Sequence, residues 1–139
     1  MASFNKIQGW VGYLGLAAIN LNTDNLDCYL SNATPSASAD DVKADLAEIT
    51  NENGYTAPED TQNLYSEASG TGTMTATDIT ITASGGSFGP FQYVVLDDDT
   101  VSSPVVDPLA GWWDYGSALT VNAGESFTID FGASLATLV

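Results

Sequence analysis

The clearest signal along this chain is alternation of apolar and polar positions. Leu26, Cys28 and Leu30 are interleaved with Asp27, Tyr29 and Ser31, the period of a half-buried strand. Leu64–Ala68 reads as a short strand, and Thr73–Ala83 as one rich in Thr and Ile, with Ile79, Ile81 and Ala83 on one face. Phe91–Leu96 is almost unbroken apolar sequence, which predicts a strand covered on both faces. Leu109–Tyr115, Leu119–Val121 and Ser126–Phe131 complete the set. Ser84-Gly85-Gly86-Ser87 reads as a turn, and Asn122-Ala123-Gly124-Glu125 as the turn of a hairpin. Strands recurring every ~8–12 residues predict a mainly β fold, an antiparallel sandwich or barrel-like domain.

The N-terminal half reads differently. Phe4, Ile7, Val11 and Leu14 fall on one helical face, with Ser3 placed to cap it. Gly9, Gly12 and Gly15 oppose a long helix, since each costs about 1 kcal/mol relative to Ala. A short helix giving way to an extended segment within 11–21 is therefore expected. Asn22-Thr23-Asp24-Asn25 is a turn, and the extended segment is expected to form a hairpin with Leu26–Ser31. Residues 32–40 read as a loop. Asp41–Ile49 reads as a helical turn or two, with Val42, Leu46 and Ile49 on one side, and Asn51-Glu52-Asn53-Gly54 breaks the chain before a further loop at Pro58-Glu59-Asp60. Residues 1–139 are read as a single domain: a helix, hairpin and loop region over 1–60, with one or two short helices, and a strand-rich region over 61–139.

Composition narrows the chemistry. At 139 residues and 44% hydrophobic side chains the chain can bury a real core. It carries 18 Asp and Glu against two basic residues, Lys6 and Lys43, for a net charge of −16. Phosphate backbones and anionic bilayers need clustered Lys and Arg, so neither nucleic acid nor membrane is an expected partner. Trp10–Ile19 is apolar but shorter than the roughly 20 residues that span a bilayer, lacks a cleavage pattern after it, and reads as core. The chain has no His, which removes triads and imidazole ligands. Cys28 is the sole cysteine, so no internal disulfide forms, as suits synthesis in a reducing cytosol. Set in an apolar alternation, it reads as a buried, inert thiol.

Asp97-Asp98-Asp99 is the obvious metal candidate, because hard cations want carboxylate oxygens. Its spacing does not fit a helix-loop-helix calcium loop, and the expectation is solvated charge in an acidic loop over Asp97–Asp107, with no metal. Asp114, between Trp113 and Tyr115, is placed as a sugar-site carboxylate would be, but nothing in the sequence supplies the carboxylate separation that glycoside hydrolysis requires. Gly85-Gly86-Ser87-Phe88-Gly89-Pro90 lacks the following Lys-Ser/Thr of a phosphate loop. No catalytic residue and no cofactor are therefore expected. Trp112 and Trp113, adjacent in a strand, must point to opposite faces. One fills the core, and the other meets a covering loop, solvent or another chain; large aromatics anchor interfaces.

Three stretches carry a resemblance: Ala83-Ser84-Gly85-Gly86-Ser87-Phe88-Gly89-Pro90-Phe91-Gln92-Tyr93-Val94-Val95-Leu96, then Pro108-Leu109-Ala110-Gly111-Trp112-Trp113-Asp114-Tyr115-Gly116-Ser117, then Leu119 through Phe131. From Asp78 onward the chain resembles a family of small structural proteins of tailed bacteriophages and prophages. Leu30–Pro35 and Asn53–Thr56 look like its weaker upstream motifs. The Gly-punctuated stretch Gly9–Gly15 and the triple Asp depart from the family pattern. The resemblance implies a virion component made in the host cytoplasm, a decoration or cement protein on the outer head surface. Its implied partners are the major capsid protein and further copies of itself. Phe88, Phe91, Trp112, Trp113 and Tyr115 are the candidate interface residues. The rival readings are a tail, neck or fibre component that meets host glycans, and a glycan-degrading virion enzyme.

Overall fold

The structure is a computed structural model and describes residues 2–138. In chain order its elements are β1 (Phe4–Lys6), α1 (Gln8–Gly15), β2 (Leu26–Ser31), a single 3-10 turn (Lys43–Asp45), β3 (Glu59–Asp60), β4 (Leu64–Ala68) and β5 (Thr71–Thr75). β6 (Ile79–Thr82), β7 (Phe88–Asp98), β8 (Leu109–Val121), β9 (Ser126–Ile129) and β10 (Ala136–Leu138) follow. The fold is mainly β and sandwich-like. A five-stranded antiparallel sheet, in the order β1-β8-β7-β2-β3, faces a three-stranded sheet, β10-β5-β4, and a two-stranded one, β6-β9. No helix among the described residues is long and apolar enough to cross a membrane.

Alternation in β2 and β7 builds two apolar layers from one sheet. Cys28, Leu30, Val94 and Leu96 point to the main core, where they meet Met74 of β5, Ile79 and Ile81 of β6, Ile129 of β9 and Trp10 of α1. Tyr29, Tyr93 and Val95 point the other way, into a second cluster with Ile7, Leu46 and Leu109. In register, Tyr29 stands opposite Val95 and Leu30 opposite Val94. The apolar run at 91–96 is therefore covered on both faces, as its composition predicts. Burying each such side chain contributes about 1.5–3 kcal/mol, enough to fix the register against a one-residue slip. Cys28 is fully buried at the centre of β2, and burial pushes its thiol well above the usual range, which makes it inert.

Several local expectations fail for physical reasons. Phe4–Lys6 is strand rather than helix, because the open edge of β8 offers it a ladder: Phe4 pairs with Trp113 and Lys6 with Gly111. The helix accordingly begins at Gln8, after Ile7 rather than Ser3, and leads into turns instead of an extended strand. No hairpin with β2 forms, since β7 and β3 occupy both edges of β2. Thr73–Ala83 splits into β5 and β6, which belong to different sheets. The stretches 109–115 and 119–121 are one strand, interrupted by a bulge: between Asp114 and Leu119 of β8, β7 advances only from Tyr93 to Phe91. Gly116, at φ +98°, supplies the left-handed backbone within the bulge. The Asn122–Glu125 turn does not close a hairpin. It is a corner, after which β9 crosses to pair with β6, Ile79 opposite Ile129. Asp97 and Asp98 end β7 and are not loop residues.

Candidate functional site

The strand pair β7–β8 and the crossing of β9 place a file of aromatic rings from core to surface. Tyr55 stacks on Phe88 at 5.7 Å and Phe88 on Phe91 at 6.2 Å. Phe91 meets the edge of Phe127 at 4.8 Å, and Phe127 meets Tyr115 at 5.9 Å. Trp113 lies beside this file, 5.0 Å from Phe4 and 5.7 Å from Phe131. A cleft of about 190 Å³ opens here, lined chiefly by Val94, Trp113, Tyr115, Phe127, Ile129 and Phe131. Tyr115 is 56% exposed at its rim, whereas Trp113 and Phe127 are half-buried.

This arrangement divides the five aromatic residues singled out in the sequence. Phe88 and Phe91 are 1% and 0% exposed, so they are core residues and leave the candidate interface. Trp112 does point away from Trp113, as strand geometry demands, and packs on the second cluster beside Ile7 and Tyr29. It therefore does not share a surface with Trp113. Trp113 and Tyr115 remain at the cleft, and Phe127 joins them. Alternation within Ser126–Phe131 already put Phe127, Ile129 and Phe131 on one face, but only the crossing of β9 brings that face to β8.

Asp114 is exposed between the two cleft residues. Its carboxylate accepts from Gln92 Nε2 at 3.0 Å and from the Gly116 amide at 2.7 Å. Both bonds brace the bulge, so Asp114 has a structural role as a local turn acceptor.

The acidic run lies at the opposite end of β7, and the burial of Asp97 and Asp98 overturns the expectation of solvated charge there, whereas Asp99 is exposed. Asp97 and Asp98 are fully buried, and Asp27 is 2% exposed. Asp27 stands directly across from Asp97 on one side and from Asp60 on the other. Burial raises Asp97 to about 8, despite the Lys43 ammonium 3.7 Å from it. Burial and the neighbouring Asp99 raise Asp27 to about 7. Burial and Asp24 raise Asp98 to about 7. Asn25 Nδ2 bridges Asp27 and Asp99, donating to one oxygen of each at 2.7 and 3.2 Å. Lys43 also stands over the Tyr29 ring, 5.1 Å from its centre. Among the described residues, both Asp97 oxygens and Oδ2 of Asp98 lack a hydrogen-bond donor, and no three acidic side chains converge as a ready metal centre. The sequence signal for this burial was available: Asp97 continues the alternation of Tyr93 and Val95 without a break.

Comparison of the chain with protein-family models, with curated proteins and with solved structures gives no match in any of the three.

Proposed function

We propose that this chain is a structural protein of a tailed-phage particle, a decoration protein that binds the assembled head shell and further copies of itself. The observation that carries the reading is the apolar cleft between β8 and β9, with the exposed Tyr115 ring beside Trp113 and Phe127. Covering such a patch contributes about 25 cal/mol per Å² of apolar surface removed from water. Each contact is modest, but several engaged at once reinforce one another through effective concentration. A protein that binds only the closed shell stabilises that state by linkage, whatever the pressure inside. The resemblance over residues 78–131 supports the same reading. The net charge of −16 favours a neutral or basic partner surface, such as a shell lattice, over nucleic acid.

A second reading rests on a specific feature. The exposed Tyr115 ring and the half-buried Trp113 and Phe127 rings give the cleft flat aromatic faces, the kind of surface on which tail and fibre proteins stack a host glycan. Copy number separates the two. Hundreds of copies per particle, and particles that rupture on mild heating when the protein is deleted, are expected of shell decoration. A few to dozens of copies, with sturdy particles that fail to adsorb, would assign the chain to the tail.

A further inference from the structure

The buried end of β7 holds two carboxylate pairs that are built alike but completed differently. Asp27 and Asp99 share the side-chain amide of Asn25, which donates to both. Asp24 and Asp98 are brought together where the Asn25 backbone amide donates to Thr100 Oγ1 at 2.8 Å, next to the bond from the Thr100 amide to Asp98, yet no donor bridges their carboxylates. Oδ2 of Asp98 is fully buried and has no partner among the described residues, and a buried carboxylate oxygen left so is costly.

Both members are held in place by backbone groups of nearby residues. Asp98 Oδ1 accepts the Thr100 amide at 3.1 Å, and the Asp98 amide donates to the Pro108 carbonyl at 3.0 Å. Asp24 Oδ2 accepts the Asn20 amide at 2.6 Å, and the Asp24 amide donates back to the Asn20 carbonyl at 2.8 Å. The turn over residues 20–24 thus aims one carboxylate at the strand end, and Asp24 keeps part of its surface in solvent.

We propose that the Asp24–Asp98 pair binds a hard divalent cation, calcium or magnesium, with water completing its shell. Such ions accept sites of one or two carboxylates when water fills the other positions. The cation takes the place that the Asn25 amide fills in the neighbouring pair. It cancels the repulsion of two adjacent acids in a strongly acidic chain and ties the turn at 20–24 to the end of β7. The site does not depend on the particle reading and applies to the isolated chain.

The test is thermal unfolding of the full chain at pH 8, in EDTA and then in millimolar calcium or magnesium, with sodium chloride matched for ionic strength. Calorimetric titration is run alongside. Saturation is expected to raise Tm by about 5 °C with one ion bound per chain. Asp24→Asn, at the accessible side of the pair, and Asp98→Asn should each abolish both signals, while Asp99→Asn in the amide-bridged pair should keep them. If Asp98→Asn does not fold, Asp24→Asn decides alone. A wild-type chain blind to both cations would mean that the pair merely shares a proton. A response that survives Asp24→Asn would place the ion elsewhere on the acidic surface. Either result overturns the proposal.

Discussion

Trp112 and Trp113 are consecutive in β8, yet they belong to different layers: Trp113 packs between Phe4 and Phe131 beside the main core, while Trp112 covers the Ile7–Tyr29 cluster on the reverse face. Only Trp113 reaches the cleft. Trp112→Ala should therefore act on stability, by about 2–3 kcal/mol given its partial burial, and leave particle binding unchanged once the protein is folded. Tyr115→Ala should do the reverse, shifting stability by no more than about 0.5 kcal/mol and weakening binding. Denaturant melts of both variants, set beside shell co-sedimentation, check the split.

Phe91 provides the contrasting case. Fully buried and touching both Phe88 and Phe127, it should cost about 3–5 kcal/mol as Phe91→Ala, and the loss should appear in urea unfolding before any binding assay can be run. A well-folded Phe91→Ala with a specific binding defect would return that residue to the interface.

Lys43 is the cation beside the buried Asp97 carboxylate. Lys43→Met keeps the stem over Tyr29 but removes the ammonium. At pH 8 it should destabilise the fold by about 1–2 kcal/mol, less than a fully enclosed pair because Lys43 is partly exposed. Adding Asp97→Asn should recover much of the loss, and a double-mutant cycle in chemical denaturation measures the coupling.

The pH response follows from Asp27, which faces Asp60, Asp97 and Asp99 and whose pKa rises from 3.8 to about 7 on folding. Between those values the unfolded chain loses this proton while the folded chain keeps it, so stability falls as pH rises from about 4 to 7; Asp98 adds to the same fall and Asp97 extends it to about 8. In EDTA, Tm should accordingly be higher at pH 5 than at pH 8. Asp27→Asn should lessen this slope without abolishing it, because Asp97 and Asp98 titrate in the same sense, and gain about 1–2 kcal/mol at pH 8, since an amide oxygen can still accept from Asn25.

Gly111 pairs with Lys6 where β1 crosses close to β8. A methyl group there would collide with the Asn5 carbonyl and the Phe4 ring. Gly111→Ala should free the β1 strand, which hydrogen exchange at residues 4–6 would register as lost protection.

How much of this was legible depended on whether the pattern was local. The layer split of β2 and β7 follows from side-chain alternation, and the opposed tryptophans follow from the same rule. Which strands pair does not. β9 follows β8 through a good turn and still pairs with β6, because Ile79, Ile81 and Ile129 share one buried face. Phe88 and Phe91 looked like interface anchors because size and aromaticity are the same in a core and in an interface; only burial separates them. Asp97 looked solvated because charge usually is. Its place at the end of a doubly covered strand overrode that default.

The proposed mode of action is the seating of the β8–β9 aromatic cleft against an assembled shell. It is tested most directly by counting copies bound to shells stripped of this protein, using wild type and a Tyr115→Ser/Phe127→Ser variant first verified as folded. Saturable, lattice-proportioned binding by wild type, reduced at least tenfold in the variant, is the expected result. Equal occupancy by both proteins, or none by the wild type, would contradict it.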